Sequence, residues 1–188
     1  MKKRWLIICF AFFIGLILIL IPVLSNLKAK YIENKIISDF TKNKSENNNK
    51  DRNDEEKNRN YSEYPIALIK IQSINLEAPI VEGENNINYT VGKYTNSAEF
   101  GSYGNVILAA HNNMAGSIFK NLEDVSIGDS VTIETKKNIF TYKITTKNIV
   151  KPTDSDILKE DINKKEITLI TCANNAKNRL IVKGEILS

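Results

Sequence analysis

Apolar and polar positions divide the chain into three regions, and the first is a membrane-type helix. Residues 5–24 form a block without a charged side chain. At about 1.5 Å per residue, such a helix crosses roughly 30 Å of hydrocarbon. Three basic side chains precede it at residues 2–4. Because Lys and Arg are retained inside, we predict a cytoplasmic tail at residues 1–4, a transmembrane anchor at 5–24, and an extracytoplasmic remainder. A cleaved signal peptide is the alternative, but residues 23–27 contain no Ala-x-Ala cleavage pattern.

Residues 25–63 predict a helical extension followed by a polar linker. Leu27, Tyr31, Ile32 and Ile36 recur at helical spacing. Residues 41–60 then contain no apolar side chain at all. Such a segment buries too little surface to offset the entropy lost on ordering. We therefore expect a solvated tether between the anchor and the rest of the chain.

Residues 64–188 predict a small all-β domain. Short apolar or alternating runs, separated by turn residues, indicate strands at 66–71, 78–81, 105–110, 130–134, 140–145, 166–172 and 179–187. The alternation turns Val131, Ile133, Phe140, Tyr142 and Ile144 inward. Residues 117–125 are the one short helical candidate. Seven or eight strands in this length favour a barrel or a sandwich.

The charge distribution gives no sign of a nucleic-acid partner. The formal net charge is +4, of which residues 2–4 supply three. Residues 25–63 carry nine basic and eight acidic side chains, and residues 64–188 carry fourteen of each. The basicity therefore belongs to the membrane end of the chain.

Cys172, His111 and Arg179 are the candidates for chemistry. Cys9 lies in the apolar block, so Cys172 has no disulfide partner outside the membrane, and His111 is the only histidine. A thiolate is a strong nucleophile, an imidazole can carry its protons, and a guanidinium can stabilise an oxyanion. Each residue alone has an ordinary structural explanation. Together, at the ends of predicted strands, they indicate cysteine acyl transfer.

The last two strands predict a hairpin that places the thiol beside the guanidinium. The polar residues 173–178 form the loop, so Cys172 is opposite Arg179, Ile170 opposite Ile181, and Thr168 opposite Lys183 on one face. Leu169 pairs with Val182 and Ile167 with Gly184 on the other face. Leu169, Thr171, Leu180 and Val182 then turn to the core, and the outer face becomes the floor of a groove.

These residues resemble the signature of the sortases, membrane-anchored cysteine transpeptidases of Gram-positive bacteria. The motif Thr168-Leu169-Ile170-Thr171-Cys172, followed by Arg179, carries the resemblance, together with the 105–111 strand that ends at the histidine. Segments 119–122, 128–129 and 150–154 extend it over residues 64–188.

The resemblance implies a closed eight-stranded β-barrel with one or two short helices. It also implies a catalytic trio of His111, Cys172 and Arg179, with Ile170, Thr171 and Ile181 binding substrate. The reaction would cleave an LPxTG-like sorting signal after Thr through a thioacyl enzyme. The implied partners are surface proteins or pilins that carry this signal, an amine acceptor such as the peptidoglycan precursor lipid II, and the cell membrane. No cofactor or metal is expected.

Subclass and alternatives stay open at this point. The 61 residues from His111 to Cys172 leave no room for the extra helix of class B. Residues 61–65 lack the class C lid, and Glu99 alone precedes His111 where some class A members bind calcium. Class D is favoured, with class A second. The alternatives are a non-catalytic barrel that binds cell-wall peptide, with Cys172 inert, and an L,D-transpeptidase-like cross-linker, whose His-Gly and Ser-x-Gly-Cys arrangement is missing.

Overall fold

One long helix and eight strands make up the part of the protein that the structure describes. The computed structural model describes residues 2–46, 64–83, 87, 89–113, 117–154, 159 and 161–186. The elements are α1 (Lys2–Glu46), β1 (Ala67–Ile71), β2 (Leu76–Glu82), β3 (Val91–Lys93), β4 (Gly104–Ala109), β5 (Ser130–Thr135), β6 (Ile139–Val150), β7 (Lys165–Ala173) and β8 (Asn178–Glu185). Single 3₁₀ turns lie at Gln72–Ile74 and Leu122–Asp124.

The strands close into a barrel in the order β1-β2-β3-β4-β7-β8-β6-β5. Two pairs are parallel, β2 with β3 and β4 with β7, and the other six are antiparallel. Parallel neighbours usually need a long crossover, although β2 and β3 are joined by residues 83–90 alone. The crossover from β4 to β7 is residues 110–164, and it contains β5 and β6. The predicted eight-stranded barrel is therefore confirmed, and the sandwich is excluded.

The alternating positions of the sequence fill the barrel interior. Val131, Ile133 and Tyr142 are fully buried, and Ile144 is 1% exposed, as predicted. Phe140 is only partly buried and packs against this core. Residues from every strand join the same cluster, so the barrel has its own continuous core.

The structure differs from the sequence prediction at two elements. The strand β3 was not predicted, because its three residues, Val91-Gly92-Lys93, show neither alternation nor a long apolar run. The helical candidate at residues 117–125 is instead a set of turns around the 3₁₀ segment Leu122–Asp124. Lys147 of β6 fastens these turns, since its Nζ donates to the carbonyls of Glu123 and Val125.

A buried tyrosine fixes the turn before β4. The Gly101 N–H donates to Tyr142 Oη at 2.8 Å, and burial raises the pKa of that hydroxyl. Gly101 has a φ of 76°, and a Cβ at this position would overlap the Phe140 ring. Only glycine satisfies both the backbone conformation and the close approach.

Helix α1 is continuous through Pro22 and runs to Glu46, into the predicted tether. Among the described residues it is the one helix long and apolar enough to cross a membrane, over Phe12–Lys42. The rest of the tether, residues 47–60, lies outside the described residues, as do residues 61–63.

The second half of α1 packs against the barrel. Ala29 and Phe40 are each 2% exposed, and the residues between them at helical spacing are half-buried. This docking face consists of Ala29, Phe40 and the half-buried residues 32, 33, 36 and 37, and α1 contacts β2. A cleft of about 230 Å³ lies next to it, lined by α1, by residues 74–77 and by residues 117, 118, 120 and 121. The predicted helical extension at residues 25–40 is thus confirmed, and it lies on the barrel.

Candidate active site

The β7–β8 hairpin has the register that the sequence predicts. Cys172 is paired with Arg179, Ile170 with Ile181, and Thr168 with Lys183. Leu169 with Val182 and Ile167 with Gly184 form the inward pairs, and all but Gly184 belong to the barrel core. Directly opposed residues lie about 5 Å apart at Cβ. Cys172 and Arg179 are therefore lateral neighbours on the outer face.

The parallel β4–β7 pair brings His111 to the same row. Ala109 is paired with Ile170, and the Ala110 N–H donates to the Ile170 carbonyl at 3.2 Å. Two residues beyond that pair, the two chains reach His111 and Cys172. Neighbouring strands lie about 4.8 Å apart. His111, Cys172 and Arg179 thus lie at the adjacent ends of β4, β7 and β8, and all three are partly exposed.

Hydrogen bonds fix the backbone on both sides of His111. Thr171 Oγ1 donates to the Ala110 carbonyl at 2.8 Å, and Asn112 Nδ2 donates to the Cys172 carbonyl. The His111 carbonyl itself accepts the Phe119 N–H at 3.0 Å. The histidine segment is therefore tied to the cysteine strand beyond the end of the regular ladder.

An apolar floor lies on the outer face beside this row. Ile107, Ile170 and Ile181 form a cluster separate from the barrel core, with Tyr94, Ala109 and Val150 packed against it. Of the three predicted substrate-binding residues, Ile170 and Ile181 lie in this floor. Thr171 turns the other way, because its side chain is 3% exposed and bonded to Ala110.

The loop of residues 174–177 holds one end of the guanidinium. Arg179 Nη1 donates to the carbonyls of Ala176 and Asn178, at 3.1 and 3.0 Å. Asn174, Asn175 and Ala176 all have a positive φ, between 51° and 66°. The remaining guanidinium donors have no described protein partner, so they are available to a ligand on the outer face.

The sequence gives little indication of the polar residues that support the site. Asn112, which bonds to the Cys172 carbonyl, is the clearest case. Another is the buried pair Thr168 and Asn105, joined by a hydrogen bond of 2.8 Å. The only signal for them is a polar residue next to, or inside, an apolar run, and this signal does not identify a partner. Among the described residues, no three His, Cys, Asp or Glu side chains gather as a metal site requires. That no metal or cofactor is needed stays a prediction.

A thiol, an imidazole and a guanidinium in one row above an apolar floor define a site suited to cysteine acyl transfer. The floor can hold an extended peptide with apolar side chains. The row can then attack its carbonyl carbon, protonate its leaving group and stabilise its oxyanion. The fold and this row together define a β-barrel with the groups of a cysteine transferase.

Comparison with known proteins agrees with that class. The family model described as "Sortase domain" matches residues 69–187. The sortase-family protein YwpE of Bacillus subtilis is 40% identical over 87 residues, which are 45% of this chain and 84% of that protein. Sortase D of Bacillus subtilis is 29% identical over 126 residues, 63% of this chain and 62% of the relative. The Clostridium perfringens Sortase D5 transpeptidase has a similar structure, with a TM-score of 0.66 and 28% identity, covering 85% of this chain and 98% of that one.

The chain therefore belongs to the sortase family, whose members are cysteine transpeptidases. The predicted family and enzyme class are confirmed. The chain spans about three fifths of the length of Bacillus subtilis Sortase D and of Bacillus anthracis Sortase A, which is 31% identical to it.

Proposed function

We propose that this protein is a membrane-anchored transpeptidase that cleaves an LPxTG-like sorting signal after Thr and transfers the protein to an amine. One observation carries the proposal, the shared register of β4, β7 and β8. It makes Cys172 the lateral neighbour of Arg179 and brings His111 to the adjacent strand end. A protein that only binds peptide would need the floor, but not this row of reactive groups.

Acylation begins with the Cys172 thiolate. Its sulfur attacks the carbonyl carbon of the scissile Thr peptide bond, and the negative charge moves to the carbonyl oxygen. Arg179 donates to this oxyanion. As the intermediate collapses, the C–N bond breaks and His111 gives its proton to the departing amine. The product is a thioester between Cys172 and the substrate Thr.

Deacylation uses the same groups in reverse. An incoming primary amine attacks the thioester carbon, and His111 removes a proton from its nitrogen. The C–S bond then breaks, and the thiolate of Cys172 is regenerated. A new amide joins the substrate to the acceptor. The proposed reaction balances without an oxidant, a metal or a nucleotide.

The apolar floor gives the site its peptide preference. Ile170 and Ile181 are 8% and 3% exposed, so most apolar contact with a peptide would come from the partly buried Tyr94, Ala109 and Val150 around them. The Leu-Pro part of a sorting signal can bury apolar area there, which stabilises binding by about 25 cal/mol per Å². Thr171 acts indirectly, through its hydrogen bond to Ala110.

The family and helix α1 support a proposed set of partners and a membrane setting. We assign the barrel to the extracytoplasmic side, with residues 1–4 cytoplasmic, since three basic side chains precede the apolar helix. The substrates would be surface proteins or pilins with a C-terminal sorting signal. The acceptor would be lipid II or another amine of the cell wall. The resemblance to two D-type sortases supports class D.

The test is cleavage of LPxTG-type peptides by the full chain in detergent. We expect Cys172→Ala and His111→Ala to lower the rate at least about 10³-fold, as loss of a nucleophile or its proton carrier does. Arg179→Lys keeps the charge but loses the planar fork, so a smaller loss of kcat is expected. Intact mass should show a thioacyl adduct in the wild type and none in Cys172→Ala.

Cys9→Ala is the matched control, because it removes the other thiol and should leave the rate unchanged. Retained cleavage in Cys172→Ala would overturn the proposal. A wild-type protein that binds the peptide without forming an adduct would favour the non-catalytic barrel. Cross-linking of stem peptides without a sorting signal would favour the L,D-transpeptidase alternative.

A further inference from the structure

We infer that Asn112 is a positioning residue, which holds the His111 segment beside Cys172 by a side-chain bond to the cysteine's own carbonyl. The inference rests on the proposed function, because that function makes His111 and Cys172 the reacting groups. Asn112 makes no contact with the reacting atoms in this scheme. It acts through the backbone on either side of the histidine.

The need for such a residue follows from where the ladder ends. Strand β4 ends at Ala109, opposite Ile170, and the last backbone bond across the pair is Ala110 N–H to the Ile170 carbonyl. Strand β7 continues to Ala173. His111 is therefore the first residue of its chain without a backbone bond to the strand that carries Cys172.

Two side chains replace the missing backbone bonds. Thr171 Oγ1 reaches from β7 to the Ala110 carbonyl, directly before His111. Asn112 Nδ2 reaches back to the Cys172 carbonyl, directly after His111. The histidine is thus bracketed by one bond in each direction, and the second of these ends on the nucleophile residue itself.

The chemistry of Asn112 fits a donor that is specifically needed. Its Oδ1 is buried and has no hydrogen-bond partner among the described residues. An unpartnered buried amide oxygen costs free energy. The side chain is therefore placed for its N–H donor and not for its carbonyl. An aspartate of the same shape has no N–H, and it would set a carboxylate against the Cys172 carbonyl.

Asn113 supplies a matched control. It is the same residue type, one position later, and is exposed. Its alanine and aspartate variants make the same chemical changes without touching β7. A difference between the two positions then reports the bond to Cys172.

The experiment measures kcat and KM for an LPxTG-type peptide with the full chain in detergent. We expect Asn112→Ala and Asn112→Asp to lower kcat about 10- to 100-fold, because a small misplacement of a reacting group has effects of this size. KM should stay within about twofold, since the apolar floor is unchanged. Asn113→Ala and Asn113→Asp should have wild-type kcat.

A double-mutant cycle separates positioning from general stability. If Asn112 acts through His111, then Asn112→Ala should cost little in thioacyl formation once His111 is already alanine. Equal losses in both backgrounds would overturn the inference. So would wild-type kcat in Asn112→Asp, which is isosteric and decides the matter if the alanine variant does not fold. Either result leaves the proposed function standing, whereas retained peptide cleavage by Cys172→Ala would remove that function itself.

Discussion

Ala176 lies in the loop between Cys172 and Arg179 with a backbone conformation that favours glycine. Its φ is 66°, and it follows Asn174 and Asn175 at 51° and 55°. Asparagine tolerates the left-handed region, but the Cβ of alanine crowds the following carbonyl there, at a cost of about 1–2 kcal/mol. In this loop conformation the Ala176 carbonyl accepts a hydrogen bond from Arg179 Nη1.

We predict that Ala176→Gly raises the free energy of unfolding by about 0.5–1 kcal/mol. The gain is the relief of left-handed strain less the extra chain entropy of glycine. Thermal unfolding of the barrel in detergent measures it. Ala173→Gly, at the last position of β7, is the control and should lower stability, because glycine weakens a strand. A loss of stability in both variants would contradict the strain argument.

The sequence singles out the candidate reactive side chains, but not the groups that hold them in place. A lone cysteine, a lone histidine and a strand-end arginine are conspicuous because each is rare or charged in an apolar setting. Asn112 and Thr171 are common polar residues, and their bonds join β7 to the segment directly after β4, 60 and 61 positions away in the sequence. Only the fold brings these two segments together.

Among the elements, the β7–β8 hairpin was predictable because it is local. A polar loop and two apolar runs fix the register, and a slip of one residue would turn every core side chain outward. The parallel β4–β7 pair has no such local signal, since a long crossover separates its strands. The strand β3 could not be predicted for another reason. It is short and ends in Lys93, and a lysine does not indicate a buried strand position. Lys93 is nevertheless fully buried, with its Nζ 3.4 Å from a carboxylate oxygen of Glu82 and 3.4 Å from one of Glu99.

The packing of the α1 docking face against the barrel can be tested by placing a charge in it. Ala29 is buried where the helix meets the barrel. A glutamate there would have to bury a charge or lift the helix, and lifting is cheaper. We therefore expect Ala29→Glu to release this half of α1, with faster tryptic cleavage at Lys30 and Lys35 and faster hydrogen exchange in β2. The barrel should unfold at nearly the same temperature.

Asn34→Glu is the matched control, because Asn34 is exposed on the same helix and accepts a charge without displacement. It should leave cleavage and exchange at wild-type rates. Unchanged exchange of β2 in Ala29→Glu would show that the packing between helix and barrel contributes little in solution. The prediction would then be wrong.

For the whole molecule, the helix that would cross the membrane is also the helix that docks the barrel. From residue 24 to Ala29 is about 8 Å along the axis. The barrel is therefore held close to the apolar segment, and the cleft between α1 and residues 117, 118, 120 and 121 begins at Asn26, just after that segment. The sequence predicted a free tether at residues 41–60. The composition shows correctly that this segment is polar. It cannot show that α1 packs along the barrel before it reaches the segment.

The proposed orientation requires Cys172 to face the cell exterior. Cys172 is partly exposed, and once Cys9 is replaced by alanine it is the only thiol in the chain. We expect a membrane-impermeant maleimide to label the Cys9→Ala protein in intact cells from which the cell wall has been removed. Cys9→Ala combined with Cys172→Ala should give no label, which confirms the site. Labelling only after lysis would place the barrel in the cytoplasm. Sorting signals and wall amines would then be out of its reach, even if the purified protein cleaved the peptide.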